Sequence, residues 1–420
     1  MKMRWVHILC LLVLLLSGCI QRDQYDTGKP FSRVLLIYTA GYNNLSSDIG
    51  RNIQELCDSP LPLRDGNKAI LVFSHQARSD YDYRTEVQPC LVRISADWQG
   101  QVVRDTLLRL DANRKATDPF VLNQVIEYVH EHFDSDHYGL IMSSHGTGWM
   151  PQGYYDNPTS STGVFYAPRK AMPLTDRVAA APEDGLKVKS FGADVYWNGN
   201  TTASAEMDVM ELVRAITIHL DYIIFDACLM GGIEVAYELR NVADKIGFSQ
   251  AEILAHGFPY KTTTQRLMQG ETDVTGFCQD YYEYYAAQQG VQCSATISVV
   301  DSKQLDAFAQ VCKALFSRYS SALAAVDPAT VQGYFRKNRH WFYDLDDIFV
   351  KAGASEADLA TLRTAMDQLI LYKAATKRML DAFDVNVHCG LSMYLPANGD
   401  NNLNAYYRKL AWNQETGMVK

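Results

Sequence analysis

The chain has 420 residues, 47% hydrophobic and 21% charged, a balance that supports a sizeable folded core and is long for one ordinary domain. Its 26 glycines and 13 prolines exclude collagen-like or low-complexity character. A net charge of −9, a pI near 5.6 and the lack of any basic run exclude nucleic acid as a partner on electrostatic grounds.

Lys2 and Arg4 precede residues 6–16, which are apolar apart from His7. That stretch is too short to cross a bilayer core of ~30 Å as a helix, so residues 1–18 read as an export signal. Ser17-Gly18-Cys19 resembles the lipobox of bacterial lipoproteins. The resemblance implies cleavage before Cys19, acylation of its thiol, and a lipid-anchored protein of the cell envelope on the periplasmic or surface face. An ordinary secretory signal is the alternative. Residues 19–32 are polar and read as a tether.

Residues 33–38 and 69–73 are continuous apolar runs, as expected of strands buried on both faces. Residues 120–133 carry helical apolar spacing behind Pro119, a first-turn residue. A strand follows at 137–142. Residues 147–174 are rich in turn formers, and 187–200 could hold a hairpin; a loop this long inside a domain is usually functional or cleavable. Residues 207–219 read as a helix, 222–225 as a strand and 231–240 as a helix. A further strand and helix occupy 293–300 and 303–319. This alternation predicts an α/β fold with a mostly parallel sheet covered by helices on both faces. From 321 the strand signals fade and helical periodicity dominates. The expected organisation is therefore a domain at 33–320 and a mainly helical region at 321–420.

Nine cysteines are present and no CxxC pair occurs, which excludes zinc-ribbon and thioredoxin-type motifs. Removing Cys10 with the leader and Cys19 with the lipid leaves an odd number, so at least one thiol stays unpaired.

Two strand ends carry candidate chemistry. One strand delivers His145, followed by Gly146-Thr147-Gly148; another delivers Asp226-Ala227-Cys228, with a helix expected within about three residues. In open α/β sheets, ligands bind beyond the carboxyl ends of the strands. A thiol near an imidazole and a helix N-terminus has a lowered pKa and is a better nucleophile. Singly, a buried cysteine or a histidine after a strand is more often structural. The Asp344, Asp346 and Asp347 cluster reads as a helix start before it reads as a cation site, and no metal ligand is assigned.

The pairing of His145-Gly-Thr-Gly-Trp149 with Asp226-Ala-Cys-Leu-Met230 resembles the clostripain family of cysteine peptidases, within the caspase-like clan. Asn43-Asn44-Leu45, Ser249-Gln-Ala-Glu252, Gly257-Phe-Pro-Tyr260 and Tyr343-Asp344-Leu345 extend the similarity over residues 33–395. The resemblance implies a caspase-like fold and cleavage of proteins or peptides after Arg or Lys by a dyad. Cys228 would attack the carbonyl, His145 would protonate the leaving amine, and the N–H groups of Gly146 and Cys228 would hold the oxyanion. Asp226 matches a substrate-pocket position, although it could instead cap the following helix; Glu252 is a second pocket candidate. Self-cleavage in the loop between the motifs would fall at Arg169 or Lys170. The resemblance implies no cofactor. Tyr42 and Phe258 stand where the family commonly has an acidic residue and a tryptophan, which leaves pocket details and calcium dependence open. A non-catalytic surface lipoprotein that binds basic peptides is the rival reading, against which the intact His145 and Cys228 argue.

Overall fold

In chain order the strands up to residue 375 are β1 (Arg33–Gly41), β2 (Lys68–Gln76), β3 (Cys90–Ala96), β4 (Val102–Arg109), β5 (Tyr138–Ser143), β6 (Phe191–Trp197), β7 (Thr202–Met207), β8 (Leu220–Asp226), β9 (Ala243–Phe248), β10 (Thr296–Asp301), β11 (Tyr343–Asp344) and β12 (Ile370–Ala375), followed by three two-residue strands. The computed structural model describes residues 30–151, 191–197, 199, 202–336 and 340–420. The expected signal at 1–18, the lipidation residue Cys19, most of the tether, and Arg169 and Lys170 lie outside the described residues.

Nine strands form one sheet in the order β12-β10-β9-β8-β5-β1-β2-β3-β4. The five central strands β9, β8, β5, β1 and β2 run parallel. Antiparallel strands extend both edges, β3 and β4 on one side and β10 and β12 on the other. The apolar runs follow from burial on both faces. Val34, Leu36, Tyr38 and Ala40 point into one core with Leu71 and Phe73, while Leu35 and Ile37 point into the other with Ile70 and Val72. Each such side chain contributes ~1.5–3 kcal/mol on leaving water.

Helices cover both faces, as the alternating pattern requires. Pro119–His132, Val209–Ala215, Ile233–Leu239 and Leu305–Arg318 bury residues in the larger core. Ser46–Cys57, Tyr260–Met268 and Val274–Ala286 bury theirs in the other. Asp118 caps the helix Pro119–His132, accepting a hydrogen bond from Phe120 N–H at 2.9 Å, with Pro119 in the first turn. Residues 321–420 are helical at Leu345–Lys351, Glu356–Leu369, Asn401–Tyr407 and Ala411–Thr416, but they are not a separate layer. They supply β12 to the main sheet, and Trp412, Tyr407 and Leu391 join the larger core. Exposed Lys373 and half-buried Tyr372 on β12 mask its strand character in the sequence.

Glu234 ties this region to the helix Ile233–Leu239. It is fully buried, and its Oε1 accepts from Tyr394 N–H and from the Tyr407 hydroxyl, each at 2.8 Å. Burial pushes its pKa up from 4.5 to about 7. The folded chain thus holds this proton more tightly than the unfolded chain, so stability falls as pH rises through that interval. Glu234→Gln should remove up to about 3 kcal/mol of that slope. Urea unfolding at several pH values between 4.5 and 8 measures it. A slope identical to the parent's would assign the dependence to another group.

Candidate active site

Three neighbouring strands end at one place. Ser143 of β5 stands opposite Thr39 of β1 and Asp226 of β8. The ladder continues as Ser144 N–H donates to the Asp226 carbonyl at 3.2 Å. His145 and Cys228 each follow the matched pair Ser143 and Asp226 by two residues. They therefore leave adjacent strands, spaced ~4.8 Å apart, in the same register.

The glycines after His145 are required by how closely the cysteine turn approaches. A Cβ on Gly146 would lie 2.6 Å from the Cys228 carbonyl oxygen. One on Gly148, which has φ +64°, would lie 2.6 Å from the Leu229 carbonyl oxygen. Leu229 itself holds a left-handed φ of 62°, a conformation that costs a non-glycine residue ~1–2 kcal/mol. Its N–H donates to Ala251 at 2.9 Å, which fixes the turn.

The hairpin of β6 and β7 clamps the histidine side. Gly192 N–H donates to the His145 carbonyl at 2.8 Å, and Val195 N–H to the Tyr42 carbonyl at 2.7 Å. Asp194 accepts from Thr117 N–H at 2.9 Å and contacts His75 Nδ1 at 3.0 Å, with all three residues buried. Among the described residues this hairpin spans Phe191 to Met207 and so runs past the expected end at 200, while 187–190 lie outside the described residues.

A cavity of about 320 Å³ opens between these turns. His145, Gly146, Cys228, Asp226 and Glu252, all expected site residues, line it together with Arg336. The Asp226 carboxylate is buried, accepts from the Tyr260 hydroxyl at 3.0 Å and from the Ser143 hydroxyl at 3.3 Å, and is further held by the Phe258 backbone N–H. Burial nevertheless raises its pKa to about 6. Gly257, with φ +69°, sits against it: a Cβ there would fall 2.8 Å from Asp226 Oδ2. Glu252 is engaged, its Oε1 lying 3.1 Å from Arg336 Nη2.

Two expectations are corrected. The helix after Cys228 starts only at Ile233, with Gly232 at its N-cap, because the strained turn at Leu229 and the glycine pair intervene. Asp226 is therefore not that helix's cap, and Cys228 does not sit at a helix N-terminus. Burial first, and then the charges of Glu252 and Asp226, push the Cys228 thiol up to about 12, against the lowering effects of Ile253 N–H and Arg336. Ile253 N–H lies 3.3 Å from Sγ, and the thiol points back to the Ile253 carbonyl at 3.6 Å. All seven described cysteines are unpaired thiols.

Other titratable groups lie away from the cavity. His137 precedes β5, at the opposite end of that strand from the cavity, and pairs with Asp221 at 2.9 Å. Asp344 accepts from Asp347 N–H, Cys389 N–H and the Tyr334 hydroxyl, while Arg363 engages Asp346 at 2.8 Å. Tyr260 and Leu229 stood in the sequence only inside the resemblance motifs and Arg336 not at all, since only long-range contacts bring Arg336 to the cavity and Tyr260 to Asp226.

The clostripain family model matches residues 37–166 and 181–418. Clostripain of Hathewaya histolytica is 28% identical over 158 residues, which is 36% of this chain and 25% of that protein, so the match spans a quarter of its length. The structure of an inactive zymogen C11 protease from Parabacteroides distasonis is similar at TM-score 0.73 and 27% identity, covering 92% of this chain and 99% of the other. The fold is also that of a secreted C11 cysteine protease from Bacteroides thetaiotaomicron in complex with an irreversible peptide inhibitor, at TM-score 0.71 and 22% identity, with coverage of 92% and 99%.

Proposed function

The chain belongs to the clostripain family of cysteine proteases, and we propose that it is an endopeptidase that cuts after Arg or Lys with Cys228 and His145 as its dyad. The observation that carries this reading is a buried carboxylate, Asp226, on the wall of the same cavity as Cys228 and His145. A guanidinium or ammonium group leaving water needs such a partner, and the cavity is of a size that takes one ligand side chain.

The thiol is protonated at neutral pH before substrate binds, given its raised pKa. His145 takes the Sγ proton as sulfur attacks the scissile carbonyl. The C–S bond forms, and the carbonyl electron pair moves onto oxygen. The Gly146 and Cys228 N–H groups stabilise that oxyanion by ~3 kcal/mol each. Collapse breaks the C–N bond, and His145 returns the proton to the leaving amine. Water, deprotonated by His145, then cleaves the thioester and restores the thiol.

Processing and location belong to the same proposal. Arg169 and Lys170 lie between the two motifs, in a turn-rich stretch that an enzyme selecting basic residues would cut in its own chain. The resemblance to a protein described as an inactive zymogen supports that reading. Acylation at Cys19 would hold the enzyme on a bacterial membrane at the cell envelope.

A positional-scanning peptide assay on the purified chain tests the specificity. Cleavage should fall after Arg or Lys, at least a hundredfold over neutral residues, the scale set by leaving a buried charge unpaired. Cleavage without basic preference would remove the specificity and leave the peptidase standing.

A further inference from the structure

His145 has a partner outside the cavity. Asn44 Oδ1 lies 2.8 Å from His145 Nε2, across 101 residues of sequence. His145 lines the cavity, whereas Asn44 stands beside it, at the turn after β1. That turn is built to hold its shape. Asn43 is fully buried; its Oδ1 accepts from Leu45 N–H at 2.8 Å, and its Nδ2 donates to Ala40 and Ala193 carbonyls at 2.9 and 2.7 Å. The neighbouring Asn44 is therefore presented from a fixed backbone, with its own side chain exposed.

We propose that Asn44 is a positioning residue for His145, its side-chain carbonyl accepting from Nε2–H and so reserving Nδ1 for the proton exchanged with Cys228 and the leaving amine. A carbonyl oxygen can only accept, so the contact selects the tautomer protonated on Nε2 and serves the imidazolium equally well. Without this acceptor the imidazole would spend more of its time with the wrong nitrogen towards sulfur. The inference rests on the dyad proposed above.

The test is the kcat and KM of the purified chain on a Lys- or Arg-containing reporter peptide, from pH 5 to 9, for the parent, Asn44→Ala and Asn44→Asp. Asn44→Ala should lower kcat about tenfold, with KM within about twofold, the size expected for one lost orienting hydrogen bond. Asn44→Asp should recover most of kcat and shift the His145 limb of the profile to higher pH, because a carboxylate beside Nε2 favours the imidazolium. Asp226, Cys228, Glu252 and Arg336 around the cavity, and the His75–Asp194 pair behind the hairpin, are the same in all three forms. The alkylation rate of Cys228 by iodoacetamide over the same pH range reads the His145 proton without turnover, and should change in the same order. An Asn44→Ala enzyme with the parent's kcat and alkylation profile would overturn the proposal. So would equal losses in both variants with no shift in pH dependence, which would mark a merely structural role. If the parent cuts no peptide, the dyad reading fails, and the alkylation profile still decides whether Asn44 governs the imidazole.

Discussion

Replacing Cys228 with alanine should lower peptide hydrolysis by at least ~10⁴-fold, the scale seen when a covalent nucleophile is removed. His145→Ala should cost a similar factor, because the two act on one proton and their losses do not add. Cys278→Ala, Cys293→Ala and Cys389→Ala should keep most activity. Cys278 is fully buried in the core on the far face of the sheet, Cys389 is buried beside Asp344, and Cys293 lies at the edge before β10. None of the three lines the cavity. The buried pair should show its loss in stability, by ~1–2 kcal/mol, and leave turnover intact. The Cys228→Ala protein should also stay uncut on incubation, while the parent yields two fragments meeting near residue 170 on a mass spectrum. Comparable turnover in Cys228→Ala would refute the nucleophile; an intact yet fully active parent would refute self-processing alone.

Asp226→Asn should reduce kcat/KM on Arg and Lys substrates by ~10²–10³-fold, since a buried cation loses its countercharge. Alkylation of Cys228 by a small neutral reagent should change little. Glu252→Gln should cost far less, because Arg336 already engages that carboxylate. The raised Asp226 pKa of about 6 adds a signature. Below that pH the carboxyl is neutral, so KM for basic substrates should climb as pH falls through 6. The stability effect has the opposite sense. A carboxyl with a raised folded-state pKa costs stability once ionised, so the asparagine variant should be the more stable protein above pH 6. A variant less active yet harder to unfold is what a site strained for binding produces. Unchanged turnover of basic substrates would mean that another acid reads them.

The strands that carry the site were legible because β1, β5 and β8 are buried on both faces and so read as uninterrupted apolar runs. The edge strand β4 was not: it alternates exposed and half-buried residues, with Arg104, Asp105 and Arg109 breaking any run. β9 escaped for a similar reason, as Asp244 and Lys245 interrupt a short apolar segment. His145 and Cys228 were visible through their glycine-flanked strand ends, and the ladder pairing of Ser143 with Asp226 explains why those ends meet. The strained Leu229 delays the following helix, which sequence propensity alone extends back towards Cys228. Asn44 was visible only as part of the Asn43-Asn44-Leu45 resemblance. Its partner lies on another strand's end, and nothing in the local pattern of either segment links them.

The most direct measurement is intact-mass and peptide-map analysis of the purified chain after treatment with a thiol-reactive peptidyl ketone bearing arginine or lysine before the warhead. The account predicts a single adduct on Cys228, absent from Cys228→Ala, slowed in Asp226→Asn, and at least a hundredfold slower with a peptide bearing a neutral residue in place of the basic one. An adduct on another cysteine, or equal labelling by the basic and neutral peptides, would contradict it.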